Sequence, residues 1–291
     1  MIGKSDHDLF YFNTLFYGML QIDYWVPKIS CLMVTAGGRF DYLKDSYRCY
    51  RDQTYPNKEL VIVTDSDKEY KDQIAKLVDG RDDVRLVFLE GRYTLGALRN
   101  ISMSLCTGDV FVQWDDDDFN MPDRLMVQYG WLSKTGNRFS YFGDQLHYYF
   151  PTQELYWENW WEFQSNFAIR YGLIPGTLMA YRDGFCARYP SAGKYAKAGE
   201  DSMLSDELVE NSSLSLLRGK GYLQVYSYHG KNVWDLDHHI AISRWRSHDV
   251  QFMNQHRNII TNTLKYMNFS PTVRVMGRDG LAFLYEVNDV D

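Results

Sequence analysis

The sequence predicts an α/β fold in which a mostly parallel sheet is covered by helices. Three observations carry that prediction. Short apolar runs recur at Ile29–Val34, Leu60–Val63, Val84–Phe88 and Val110–Trp114, the length and residue types of buried strands. Stretches with helical spacing separate these runs. Polar or acidic residues stand at the carboxyl end of three of them: Thr35, Asp65 and Asp115–Asp118. Strands alternating with helices pair in parallel, and ligands bind beyond the carboxyl ends of such strands. Thr35, Asp65 and the four acids are therefore expected around one cleft, although they are far apart in the chain.

The totals set the limits. A chain of 291 residues makes one large domain or two small ones. Its 45% hydrophobic and 24% charged residues are those of a soluble globular protein. A net charge of −7 argues against nucleic acid as the main partner, because polyanion binding needs clustered Lys and Arg. Cys31, Cys49, Cys106 and Cys186 form no CxxC pair, so a structural zinc is not expected. Three of them stand in apolar surroundings, which predicts small core residues in a reducing, cytoplasmic compartment. No apolar run reaches 18 residues, so no spanning helix is predicted. The first residues lack the basic and apolar parts of a secretion signal.

Taken in order, residues 1–26 read as an N-terminal extension. Leu9, Phe10, Phe12, Leu15, Phe16, Met19 and Leu20 suit a helix packed on its own domain or in a homodimer. A peripheral position at a membrane surface is the sharper alternative, but surface helices favour Lys and Arg, and this segment has one Lys. After the first strand, Thr35-Ala36-Gly37-Gly38-Arg39 turns the chain, and glycines there allow a ligand close to the backbone. Tyr42, Leu43, Tyr47 and Tyr50 give a helix over 41–51, broken at Gln53-Thr54-Tyr55-Pro56-Asn57. Asp65-Ser66-Asp67 follows the second strand. Helices are expected over 68–78 and 96–105, on either side of the third strand.

Asp115-Asp116-Asp117-Asp118 is the most informative stretch. Taken alone, it reads as a solvated turn that caps the next helix. In this setting, at a strand end among other polar strand ends, four adjacent carboxylates call for a divalent cation, and Mg²⁺ and Mn²⁺ prefer carboxylate oxygen. In an extended chain Asp115 and Asp117 would face one way and Asp116 and Asp118 the other.

Together these blocks resemble the family 2 glycosyltransferases with the GT-A fold. The residues that carry the likeness are Ile29–Thr35, Gln53–Asn57, Leu60–Asp65, Leu95-Gly96-Ala97-Leu98-Arg99-Asn100, Thr107-Gly108-Asp109, Asp115–Asp118, Gly199-Glu200-Asp201 and Tyr228-His229-Gly230-Lys231-Asn232. They span about residues 27–235 in the family's order, a joint match more specific than any one block. The likeness implies a GT-A domain over 27–240, with a nucleotide-binding half at 27–118 and an acceptor half at 119–240. It implies a non-processive hexosyltransferase that inverts at the anomeric carbon. The sugar would pass from a nucleotide diphosphate sugar, UDP-linked by preference, to a hydroxyl of a glycan or glycoconjugate, with Mn²⁺ or Mg²⁺ as cofactor.

Roles follow residue by residue from the resemblance. Asp117 is the direct metal ligand, joined by Asp115 and by His229, with His238 and His239 competing for the last place. Asp201 is the general base that takes the acceptor's proton, and Glu200 is the alternative base or an acceptor-positioning group. From composition alone, Glu200 and Asp201 read as first-turn acids favoured by a helix dipole. Donor contacts fall to Thr35, Arg39, Asp65, Asp67, Arg99, Asp115 and Asp116, with Asp65 accepting the N3 hydrogen of uracil. Asp118 is expected to cap the following helix.

The segment between the acids and Asp201 is crowded with aromatic residues. Trp157, Trp160 and Trp161 are the acceptor candidates, because indole faces suit sugar rings; a second small core or a dimer face fits them equally well. A hairpin and a helix are both compatible with the pattern there. A strand is expected at Tyr222–Tyr226. Residues 241–291 read as a C-terminal helix over 241–267 and a closing hairpin, Val273–Met276 with Leu281–Tyr285. Ala241-Ile242-Ser243-Arg244-Trp245 only partly matches the motif of polymer-forming members, which argues against a processive synthase. A catalytically silent sugar-binding module and a sugar nucleotidyltransferase are the alternatives. The second needs a longer, more basic loop than Thr35–Arg39.

Overall fold

The computed structural model describes residues 26–162, 172–211, 213–232, 234–269 and 271–286. The helix expected within residues 1–26 falls almost entirely outside the described residues.

The first half alternates as expected: β1 (Ile29–Val34), α1 (Phe40–Arg51), β2 (Lys58–Thr64), α2 (Lys68–Leu77), β3 (Val84–Phe88), α3 (Leu95–Leu105) and β4 (Val110–Gln113). There follow β5 (Phe119–Asn120), α4 (Arg124–Thr135), β6 (Phe139–Phe142), β7 (Asp144–Tyr149), β8 (Glu154–Asn159) and β9 (Ile174–Tyr181). The chain ends with α5 (Glu200–Asn211), β10 (Leu214–Leu217), β11 (Gln224–Tyr228), α6 (Leu236–Arg246), α7 (Val250–Gln255), α8 (Arg257–Met267), β12 (Thr272–Gly277) and β13 (Gly280–Glu286).

Seven strands form the main sheet in the order β10-β6-β9-β4-β1-β2-β3. β1 pairs in parallel with β2 and β4, and β2 pairs in parallel with β3. Only β9 runs against its neighbours, β4 and β6. Side chains of this sheet divide by parity, as the pleat requires. Ile29, Cys31, Met33, Leu60, Ile62, Val110 and Val112 enter the core under α1. Leu32, Val61, Val63 and Phe111 enter a second core with Leu98 on α3. Both faces are thus buried, which is why the central positions of these strands are mostly apolar. Burying each such side chain contributes about 1.5–3 kcal/mol.

Several of the sequence blocks hold this frame together. Gln53 donates to the carbonyls of Cys49 and Met121 and accepts from the backbone of Leu125. Tyr55 and Asn57 donate to the carbonyls of Pro27 and Val26 ahead of β1. A Cβ on Gly108 would stand 2.6 Å from the Lys28 carbonyl oxygen, and Asp109 accepts the Lys28 backbone N–H at 2.9 Å. The Tyr55, Asn57, Gly108 and Asp109 links hold the amino ends of β1, β2 and β4 side by side.

A second sheet was not foreseen. It has six strands in the order β13-β12-β8-β7-β11-β5. The aromatic segment is its β7–β8 antiparallel hairpin, the hairpin alternative of the sequence reading. The closing hairpin β12–β13 is present and joins this sheet through β12 and β8. The expected helix over 241–267 is instead three helices, α6 to α8. The breaks follow from Asp249, which caps α7 by accepting from the Phe252 backbone, and from the turn at His256. The third late strand is β11, displaced two residues from expectation because Gly221–Leu223 forms a 3₁₀ turn.

Candidate active site

The acids after β4 leave the strand at once. Residues 116–117 form a turn, so the alternation expected of an extended run does not apply. Asp115 faces α3 and α5, whereas Asp116 and Asp117 both face the loop after β1.

On the first side, Arg99 is the organising residue. Its Nη1 donates to Asp115 Oδ1 at 2.9 Å and its Nε donates to Glu200 Oε1 at 2.9 Å. Arg99 is 9% exposed and Glu200 3%. A guanidinium presents donors in a fixed fork, so this one residue couples the end of β4 to the start of α5. Arg99 meets one oxygen of Glu200, Oε1. Asp201, next in the chain, is only part-buried and takes the backbone N–H of Ser202 at 2.7 Å. Burial, with the charges of Glu200 and Asp115 adding and Arg99 opposing, pushes its carboxyl up to about 6. Asp201 thus lies close enough to Glu200, Arg99 and Asp115 for their charges to act on its carboxyl.

The block Leu95–Asn100 divides its work. A Cβ on Gly96 would lie 1.9 Å from the Pro190 carbonyl oxygen, so only glycine lets that segment approach α3. Asn100 clamps Tyr189 from both sides, donating to its carbonyl at 2.8 Å and accepting from its N–H at 2.9 Å. Tyr189 in turn donates to Gln113 Oε1 at 3.0 Å, and Gln113 Nε2 reaches Asp115 Oδ2 at 3.1 Å. Gly176 on β9 is also near: a Cβ there would stand 3.4 Å from Asp115 Oδ2. Gln113 and Tyr189 were missed in the sequence, because nothing local marks a residue as the neighbour of a distant carboxylate.

On the second side, Arg39 Nη1 lies 2.8 Å from Asp116 Oδ1 and its Nη2 3.1 Å from Asp117 Oδ2. His229, just past β11, places Nε2 3.0 Å from the same Asp117 oxygen. The ring stacks on Tyr42 with centroids 4.1 Å apart, and its Nδ1 accepts the Lys231 backbone N–H. Burial raises the Asp117 carboxyl, but the His229 hydrogen bond and the Arg39 charge outweigh it and leave the group below the usual range. Asp116 is 1% exposed and its Oδ2 has no partner. Burial and the Asp117 charge, against Arg39 and Thr35, push it up to about 7. His238 stacks on Trp234 and His239 lies by Tyr226; neither has a contact to Asp117.

Three sequence expectations need correction. Asp118 caps no helix: it is buried, accepts from Gln224 Nε2 at 2.9 Å and the Ser227 backbone at 3.2 Å, and so ties the acids to β11. Asp123 stands at the cap position of α4 instead. Trp157 presents no face to an acceptor. It is 1% exposed, and its indole N–H donates to Asp144 at 2.8 Å, because β8 is covered on both sides. Asp67 spends its carboxylate as the cap of α2, accepting from Tyr70. Trp160 and Trp161 stay part-buried, with the guanidiniums of Arg246 and Arg218 over their rings at 4.2 and 4.0 Å.

The remaining donor candidates sit at strand ends. Thr35 bonds the Tyr70 hydroxyl at 2.6 Å. Asp65 Oδ2 accepts the Tyr93 backbone N–H at 2.8 Å, and Arg92 stands 3.8 Å from its other oxygen. Among the described residues no three His, Cys, Asp or Glu side chains are arranged to hold a metal ion, and no helix is long and apolar enough to cross a membrane.

The sequence profile described as "Glycosyl transferase family 2" matches residues 30–189. The chain is 26% identical over 123 residues to a putative teichuronic acid biosynthesis glycosyltransferase, TuaG, of Bacillus subtilis, across 42% of this chain and 48% of that one. It is 29% identical over 109 residues to an uncharacterized glycosyltransferase of Methanocaldococcus jannaschii, across 36% and 37%. The matched stretches thus span under half the length of these relatives. Among solved structures, S. aureus TarS 1–349 in complex with UDP-GlcNAc superposes with a TM-score of 0.56 at 12% identity, over 84% of this chain and 68% of that one. A mannosyltransferase of Pyrobaculum calidifontis in complex with GDP-Man and Mn²⁺ gives 0.50 at 12%, over 90% and 72%. At such identities the likeness is one of fold.

Proposed function

The chain belongs to glycosyl transferase family 2, with the GT-A fold, and from that premise we propose that it transfers a sugar from a nucleotide diphosphate sugar to an acceptor hydroxyl of a glycan or glycoconjugate, with inversion. A UDP-linked donor is the preferred reading. The observation that carries the proposal is Arg99, which joins Asp115 to Glu200 at 2.9 Å each and so brings the acids of β4 and the start of α5 to one cleft.

The residues divide the work. Asp65, at the end of β2, reads the base through the oxygen that Tyr93 does not occupy. Arg99 fixes Asp115 beside the transferred sugar and holds Glu200 as a positioning group. Asp201 takes the proton of the attacking hydroxyl as the acceptor oxygen bonds the anomeric carbon and the diphosphate leaves from the opposite face. A carboxyl near 6 is a better base than an ordinary aspartate and is still ionised at neutral pH. Trp160 and Trp161 remain the acceptor candidates.

Asp117 and His229 offer a carboxylate oxygen and an imidazole nitrogen 3.0 Å apart, a donor pair that suits Mn²⁺. Asp116 contributes a buried oxygen without a partner. Asp117 and His229, with Asp116 beside them, would hold the cation, and the diphosphate and water would complete its ligands. When bound, Mn²⁺ or Mg²⁺ supplies a Lewis acid for the charge developing on the leaving group.

A panel of nucleotide sugars, each with and without Mn²⁺, tests the reading through donor hydrolysis and thermal stabilisation. Turnover with a UDP-sugar and Mn²⁺ is the expected result. Silence with every donor, alongside stabilisation by free oligosaccharide, would favour a binding module instead.

A further inference from the structure

We propose that Arg39 is the resident counter-ion of the donor-free site, and that a divalent cation and a diphosphate together displace it from Asp117. The proposal rests on Asp117 being the cation ligand. Arg39 spans Asp116 and Asp117 at 2.8 and 3.1 Å, and the Asp117 oxygen it meets is the one that faces His229. A cation approaching that oxygen therefore meets a positive charge already in place. The two cannot share it without strong repulsion, since the neighbouring Asp116 is 1% exposed and water screens little. The pair is needed while the cation is absent. Without Arg39, two adjacent buried carboxylates would have His229 as their main compensation.

The local backbone suits an arginine that changes partner. Gly37 is anchored, its N–H donating to Ser66 Oγ at 2.8 Å. Gly38 follows with φ +83°, a conformation glycine adopts without strain, with nothing within 4 Å of where a Cβ would stand and its carbonyl accepting from Lys231 Nζ at 3.3 Å. Arg39 then opens α1 without a side-chain cap. Its side chain is 26% exposed, which leaves a path towards the cleft. A phosphate is the natural second partner, because its oxygens match the guanidinium fork.

This arrangement couples two ligands. A cation alone must drive Arg39 from its acids to water. A cation arriving with a diphosphate gives the guanidinium a new anion, so each ligand strengthens the other. Diphosphate oxygens bound to the cation would couple the two ligands on their own, and the release of Arg39 adds to that coupling.

The test is a Mn²⁺ titration of the full chain, with the free ion followed by electron paramagnetic resonance, in the absence and presence of UDP. In the wild type, UDP is expected to tighten Mn²⁺ binding at least tenfold. Arg39→Gln should bind Mn²⁺ alone at least fivefold more tightly than wild type and show a correspondingly smaller UDP effect. Arg39→Lys keeps the charge without the fork and should fall between them. Equal Mn²⁺ affinity of wild type and Arg39→Gln without nucleotide overturns the counter-ion and leaves the cation reading standing. Absence of Mn²⁺ binding in every protein overturns both. Should Arg39→Gln fail to fold by near-ultraviolet circular dichroism, Arg39→Lys decides, and an affinity equal to wild type sinks the proposal.

Discussion

Arg99 on α3 donates to Glu200 on α5 across 101 positions of sequence, at 2.9 Å in a buried setting. The same guanidinium holds Asp115 at 2.9 Å, so one side chain balances two acids from separate halves of the chain. Replacing it with the apolar Met leaves Glu200 buried, and Asp115 part-buried, without their shared cation. Breaking a buried ion pair in this way costs about 3–5 kcal/mol. Arg99→Met is expected to lower the urea midpoint accordingly and to cut turnover. Arg99→Lys should recover part of the stability but little of the activity, since a single ammonium cannot copy the fork. A wild-type urea midpoint in Arg99→Met would mean that the bridge contributes nothing.

Asp201→Asn separates binding from chemistry. The amide keeps the size of the side chain but cannot take a proton at neutral pH. General-base assistance is worth about 10²–10⁴ in rate, so kcat should fall by that factor while calorimetric nucleotide affinity stays within twofold. Full activity in the variant would remove Asp201 from the role and leave Glu200 as the candidate.

The pH profile follows from the same group. Asp201 is raised from an ordinary carboxylate to about 6, by burial first and by the Glu200 and Asp115 charges next. Only the ionised form accepts a proton. The rate should therefore climb as pH rises, with a midpoint near 6, and be lost below it. Arg99 opposes the rise, so Arg99→Met should move that midpoint upward. A profile flat from pH 5 to 8 would contradict the assignment.

How far this site could be read from the chain depended on where its information lay. β1, β2 and β4 were legible because both faces are buried and runs such as Leu60–Val63 and Val110–Val112 are apolar on both. Arg99, Asp117, Glu200, Asp201 and His229 were singled out by a joint pattern of blocks; the structure joins Arg99 to Glu200 and, separately, Asp117 to His229. The second sheet was hidden for a physical reason. β12 pairs with β8 from more than a hundred residues away, and its strands are mixed aromatic and polar, without a clean alternation. Trp157 misled because an aromatic for sugar stacking and an aromatic for a core look the same in sequence; its partner Asp144 decides between them. Asp118 misled likewise: an acid before a helix suggests a cap, but Gln224 and Ser227, far along the chain, claim it.

Gly96 gives the sharpest test of how packing reaches the chemistry. It touches no acid, yet a Cβ there would meet the Pro190 carbonyl oxygen at 1.9 Å and its carbon at 2.9 Å. Backbone cannot yield as a flexible side-chain end does, so Gly96→Ala must push residues 189–190 away from α3. That displacement strains the Asn100 clamp on Tyr189 and draws the Tyr189 hydroxyl off Gln113, which orients Asp115. On helix propensity alone, the change would stabilise by about 1 kcal/mol, because Ala is the better helix former. Overpacking of this kind instead costs about 1–3 kcal/mol. The expected outcome is a lower melting temperature together with a reduced kcat. A rise in melting temperature with full activity would show that the Tyr189–Pro190 segment is free to move, and that Asp115 does not depend on it.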